Sequence, residues 1–126
     1  MKYLQTVRHG DMILFKLNPE FAKLDGTKSR NVEKVVVGLG EVTGHSHDVV
    51  CDETATLKVY SKNEKLEEMT ADEIATMENL IFEVIGGDAV ITHDEHDIIK
   101  LDEGLWMRSF QVEFNPFKEM VDKVRD

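Results

Sequence analysis

The sequence predicts a mostly β protein: an antiparallel β-sandwich or small barrel of cupin-like or jelly-roll-like shape, with a short inserted helix and a short C-terminal helix. Three observations lead there. Apolar and polar residues alternate with a period of two along several short stretches, Gly-containing turns separate those stretches, and helical segments do not recur between them as a doubly wound α/β fold requires.

From the N-terminus, Thr6 to Leu17 (TVRHGDMILFKL) reads as one opening strand. Val7, His9, Asp11, Ile13, Phe15 and Leu17 fall on one face, with Gly10 as a bulge or close backbone approach. Asn18-Pro19 begins a segment to Leu24 that can form a helical turn, and Asp25-Gly26 leads into an exposed loop through residue 31. Val32 to Val37 is β-branched and reads as a strand running into the glycines Gly38, Gly40 and Gly44. A phosphate-cradling loop needs a helix N-terminus after such glycines, but His45 to Val50 reads as strand, which disfavours that use. Thr56 to Tyr60 is a short strand with Leu57 and Val59 facing one way.

Residues 62 to 78 interrupt this pattern. They are polar, and Thr70-Ala71-Asp72-Glu73 forms a capping box that starts a short helix through about Met77. The segment is expected to be a helical insertion peripheral to the core. Leu80 to Ile85 and Ala89 to His93 are apolar runs joined by Gly86-Gly87-Asp88, a hairpin signal. Ile98 to Leu101 resumes the strand pattern and Asp102-Glu103-Gly104 turns. In the next strand Trp106, Arg108, Phe110, Val112 and Phe114, mainly core, alternate with Met107, Ser109, Gln111 and Glu113. Asn115-Pro116 then caps an amphipathic helix carrying Phe117, Met120, Val121 and Val124, which should pack on the sheet or on a second subunit of a homo-oligomer.

Composition narrows the function classes. At 126 residues the chain has the size of one domain. Its 25 acidic and 15 basic residues give a net charge of −10, which repels phosphate backbones, so nucleic acid is not an expected partner. No stretch approaches the roughly 18 apolar residues of a membrane span, and Arg8, His9 and Asp11 leave no apolar core for a signal peptide, so a cytoplasmic protein with no membrane partner is expected. The one cysteine, Cys51, excludes an internal disulfide and a thiolate-rich metal site. Beside Val49 and Val50 it reads as strand filling rather than as a nucleophile.

The chemistry concentrates in five histidines. His45 and His47, two apart on an extended segment, present both rings to one face. If His93-Asp94-Glu95-His96 is a two-residue hairpin, His93 and His96 become opposed cross-strand neighbours. The candidate metal set is therefore His45, His47, His93 and His96. His9, Glu41, Glu95, Gln111 and Glu113 are available as additional ligands or outer partners, and Asp48 as a further oxygen donor. Neutral imidazole with a carboxylate suits a divalent transition metal such as zinc, iron, nickel or copper. The competing reading makes Asp94-Glu95 a solvated turn and the histidines hydrogen-bonded struts that fix the glycine loop. No nucleophile elbow surrounds Ser46.

Arg8-His9-Gly10-Asp11-Met12-Ile13-Leu14, Gly40-Glu41-Val42-Thr43-Gly44-His45-Ser46-His47, His93-Asp94-Glu95-His96, and Leu101 to Trp106 leading to Gln111-Val112-Glu113-Phe114-Asn115-Pro116 together resemble a family of small uncharacterised bacterial and phage-related proteins with HGDVLL, GExTGHxH, HxEH, LPxGxY and QREY patterns. The likeness spans nearly the whole chain and implies no established activity. The sequence departs from it at Asp102, Trp106 and Val112, where the family has proline, tyrosine and arginine. More loosely, Gly44-His45-Ser46-His47 is similar to the first motif of cupins, which bind metal inside a β-barrel, although the later glutamate and glycine spacing does not follow. The leading expectation is binding of a divalent metal or small ligand. The alternatives are a non-catalytic protein-interaction or structural protein of phage or mobile-element origin, and a metal-assisted hydrolase or oxygenase, which would need an open coordination position.

Overall fold

The computed structural model describes residues 2–9, 12–39, 46–93 and 96–110, with only the backbone of residues 96 and 97. The fold is mostly β and antiparallel, in two sheets. The strands are β1 (Tyr3–His9), β2 (Met12–Leu17), β3 (Lys28–Val32), β4 (Lys34–Gly38), β5 (His47–Cys51), β6 (Thr56–Ser61), β7 (Leu80–Ile85), β8 (Ala89–His93), β9 (His96–Leu101) and β10 (Gly104–Phe110). One sheet has the order β1-β2-β10-β7-β6-β3 and the other β4-β5-β8-β9. A 3-10 turn, Leu66–Glu68, and a short helix α1, Ala71–Ala75, lie between β6 and β7.

The inward residues of the two sheets meet in one apolar core. Leu14, Val59, Leu80, Phe82 and Trp106 come from the six-stranded sheet, and Val35, Val37, Val49, Ile91 and Leu101 from the four-stranded one. Period-two alternation drives this in β2, β6, β7 and β8, each of which turns an apolar set inward, where burial contributes roughly 1.5–3 kcal/mol per large side chain. Trp106 also satisfies its indole N–H, which donates to the Asp102 carbonyl at 3.0 Å.

Several strand assignments differ from the expectation. Thr6 to Leu17 is not one strand but the β1–β2 hairpin, in which His9 pairs with Met12. The inward face of β2 is consequently Met12 and Leu14, with Ile13 and Phe15 turned outward. The segment from Pro19, expected to make a helical turn, forms a hydrogen-bonded turn over residues 19–21, with Phe21 N–H donating to the Asn18 carbonyl. Residues 28–31, expected in a loop, join Val32 in the edge strand β3 on β6. Its polar side chains hide it, because an edge strand needs only one paired side. The chain then changes sheet at Glu33, so the Val32–Val37 run is split between β3 and β4.

Gly86-Gly87-Asp88 is likewise not a hairpin. β7 pairs with β6 and β10, whereas β8 pairs with β5 and β9, so these residues cross from one sheet to the other. Gly86 takes φ +83°, a conformation that glycine adopts without strain. Residues 52–55 and 102–103 also cross between sheets at this end. Asp52 Oδ1 accepts from Thr54 N–H and Ala55 N–H there, and Glu103 accepts from Gly86 N–H at 2.5 Å.

Residues 62–78 contain the expected helix and capping box. Thr70 Oγ1 accepts from Glu73 N–H, and Glu73 accepts from Thr70 N–H, each at 3.1 Å. The expectation that the segment is peripheral is corrected: Leu66, Ile74 and Ala75 are buried, Leu66 and Ile74 inside the core cluster, and α1 packs against β4. Three buried side chains on one short turn-helix unit are too few to make a long periodic signal. The expected C-terminal helix lies outside the described residues.

Candidate functional site

The sheet crossings occupy one end of the sandwich and the histidines the other. β1 and β8 end at this second end with His9 and His93, while β5 and β9 begin there with His47 and His96. Antiparallel register then lines up two rows, one in each sheet. His9 opposes Met12, and Met12 opposes Phe110 in the six-stranded sheet. In the four-stranded sheet Gly38 opposes His47, Asp48 pairs with Thr92 so that His47 and His93 are the next positions along, and His93 opposes His96.

The rows converge between the sheets. His9 Nδ1 and His47 Nδ1 are 2.7 Å apart, a hydrogen bond in which one ring must donate and the other accept. The His47 and His93 rings stack with centroids 4.0 Å apart and 19° between planes. His9 approaches His93 edge-on at 6.3 Å. His9 is only 2% exposed, whereas His47 and His93 are half-buried. The site therefore runs from a buried imidazole to partly accessible ones. Gly38 leaves room for the Met12 side chain beside His47: a Cβ there would stand 2.3 Å from Met12 Sδ and 3.4 Å from His47 Cδ2.

Of the candidate ligands, the structure brings His47 and His93 together and adds His9, expected as an additional ligand or outer partner, in direct contact with His47. The backbone of His96 stands opposite His93. His45, Glu41, Glu95, Gln111 and Glu113 lie outside the described residues. Asp48 alternates away from His47 and accepts from Ser46 Oγ at 2.8 Å. Cys51 sits at the other end of β5, where burial pushes its thiol above the ordinary value and Asp52 adds to the shift. That is the opposite of nucleophile activation.

Two tetrahedral imidazole nitrogens at zinc, each bound at about 2.05 Å, stand about 3.3 Å apart. The His9–His47 pair, at 2.7 Å, would have to open by about 0.6 Å, and His93 would have to turn out of its stack. Among the described residues no group of three or more His, Cys, Asp or Glu is arranged to hold a metal as it stands. The arrangement is a three-imidazole cluster in which His9 and His47 are hydrogen-bonded and His93 stacks on His47.

One functional-looking residue escapes sequence reasoning. Arg108, in the inward set of β10, is fully buried, and its guanidinium donates to the carbonyls of Val37 at 2.7 Å, Ala75 at 2.8 Å and Met77. Desolvation pulls its pKa down to about 10, which still leaves it charged near neutrality. A cation at the centre of an otherwise apolar alternation was the available signal.

Phe110, expected in the core, is 48% exposed. It shares the inward face of β10 but stands at the strand's last position, where its ring lies 4.1 Å from the Arg108 guanidinium carbon.

Fold and site together define a small antiparallel β-sandwich protein with an inter-sheet histidine cluster. Residues 8–111 match the model of a domain of unknown function, DUF8820, and the chain belongs to that family. The matched span includes all five histidines. No curated protein and no solved structure matches the chain. Among the described residues no helix is long and apolar enough to cross a membrane.

Proposed function

We propose that this domain binds a divalent transition metal at the histidine end of the sandwich, with His9, His47 and His93 as the central ligands. His45 and His96, from the same two motifs, are the proposed further ligands. The observation that carries this reading is the 2.7 Å approach of His9 Nδ1 and His47 Nδ1 from different sheets, with the His93 ring stacked on His47. Such proximity is within reach of a shared ion, and imidazole ligation selects zinc, iron, nickel or copper over magnesium or calcium. No reaction follows from this reading, since hydrolase or oxygenase chemistry would also need an open coordination position and a substrate.

Protein purified without a histidine tag, analysed for metals and titrated calorimetrically with zinc, nickel and copper, tests the reading. One equivalent should bind, with affinity weakening on acidification because ligating imidazole must be neutral, and His9→Ala or His47→Ala should reduce affinity about 10-fold or more. Uptake that is absent, or equal in these variants, rejects it. Leu39 and Phe110, both about half exposed at this same end, favour a second reading in which the histidines are struts beside a non-catalytic protein-binding surface. Absence of metal uptake together with an intact fold would favour that one.

A further inference from the structure

A cleft of about 370 Å³ lies on the outer face of the six-stranded sheet, away from the histidines, between that face and the 18–24 connection. Register builds its floor. Met107 on β10 opposes Ile81 on β7, and these two outward apolar side chains lie side by side in the cleft, while Phe15 on β2, opposite Met107, continues the row beyond it. Leu17, Phe21 and Leu24 form the apolar wall, and Phe21 is half exposed. The wall is held in place: Asn18 N–H donates to the Lys2 carbonyl at 2.9 Å, Phe21 N–H to the Asn18 carbonyl at 2.9 Å, and Thr27 Oγ1 to the Leu24 carbonyl at 2.6 Å.

The charge of the lining is the second observation. The chain carries 25 acidic residues against 15 basic ones, yet the charged side chains lining this cleft are Lys2 and Lys23, with no carboxylate among them. Among the described residues neither lysine forms a salt bridge. An apolar trough with cations at its margin, on an otherwise anionic protein, is complementary to a molecule with an apolar body and a negative head. The volume falls in the range of small-molecule sites rather than of a protein interface. The mixture of Leu, Ile and flexible Met side chains suits an aliphatic chain better than a flat ring.

We propose that this cleft binds a small amphipathic anion, an aliphatic carboxylate of medium chain length, with the chain over Ile81 and Met107 and the carboxylate between Lys2 and Lys23. The site is separate from the histidine cluster and does not depend on metal binding.

Octanoate titrated into the full chain, followed by NMR of the Ile81 and Met107 methyl groups, tests this, with octan-1-ol and butyrate as comparison probes. Octanoate should shift both methyls saturably, octan-1-ol and butyrate should bind at least about 10-fold more weakly, and the doubly substituted Lys2→Gln, Lys23→Gln protein should lose about 10-fold in affinity, or about 1.4 kcal/mol. Both lysines are exposed, so this variant should fold and keep the wild-type spectrum of core methyls. Three results would overturn the proposal: no saturable shift, equal affinity for octanoate and octan-1-ol, or equal affinity in the lysine variant. A fourth is movement of the same methyls with protein concentration in the absence of octanoate, which would assign the face to a second copy of the chain.

Discussion

At the residue scale Arg108 is a fully buried cation. Its guanidinium satisfies carbonyls from β4 and from the C-terminal side of α1, joining elements from different parts of the chain. It has no carboxylate partner among the described residues, so three carbonyl dipoles offset its desolvation, and Nε remains without a partner. Arg108→Met should destabilise by about 3 kcal/mol or more, because two buried carbonyls and one partly buried carbonyl lose their donor at once. Urea unfolding measures it, and a loss under about 1 kcal/mol would show that water replaces the guanidinium there. Phe110→Ala, two residues on, should cost only about 1 kcal/mol or less, since half of that ring is already in water. Cys51 gives a chemical check on the same scale. With its thiol pushed up by burial and by Asp52, it should react with iodoacetamide more slowly at pH 8 than a free cysteine peptide, and faster reaction would reopen a nucleophile role.

At the element scale the segment between β6 and β7 carries the clearest structural revision. Arg30 donates to the carbonyls of Leu66 and Met69, Arg108 to those of Ala75 and Met77, and Leu66 is fully buried. Replacing residues 62–78 by a Gly-Ser turn should therefore abolish cooperative unfolding. Leu66→Ala should cost about 2–5 kcal/mol, whereas Thr70→Ala, removing one capping bond at an exposed helix start, should cost about 1 kcal/mol. Equal losses at Leu66 and Thr70 would place the segment outside the core after all. This contrast also marks what the sequence discloses. Local devices were legible, because a capping box and a period-two strand are written in neighbouring residues. Sheet membership was not: Glu33 and Gly86-Gly87-Asp88 change the sheet, a choice set by partners far along the chain. β3 was missed because its residues are mostly polar and its pairing is with β6. Of the site, the Gly-His-Ser-His and His-Asp-Glu-His motifs pointed to His47 and His93. His9 could not be ranked with them, since only the facing of two sheets brings it to 2.7 Å from His47.

At the scale of the whole molecule, the histidine cluster joins the two sheets at the end opposite their covalent crossings. His9 belongs to the six-stranded sheet, and His47 and His93 to the four-stranded one. An ion ligated by both sheets would hold that end closed, and because an unfolded chain does not present the three rings together, binding would be linked to folding. With free metal at 100 times its dissociation constant the linkage amounts to about 2.7 kcal/mol, enough to raise the thermal midpoint of a domain this size by several degrees. His9→Ala should remove about half of this shift or more even though His47 and His93 remain, because the remaining ligands all come from one sheet and no longer bridge the two. Gly38→Ala separates geometry from ligand identity: it keeps every histidine, but its methyl must displace the buried Met12 side chain beside His47. It should weaken metal-induced stabilisation without abolishing it. Differential scanning calorimetry of the three proteins with and without zinc, at one pH and one protein concentration, reads these outcomes directly. A zinc-dependent rise of equal size in wild type and His9→Ala would show that any bound ion sits on the four-stranded sheet alone, and the inter-sheet clamp would have to be abandoned.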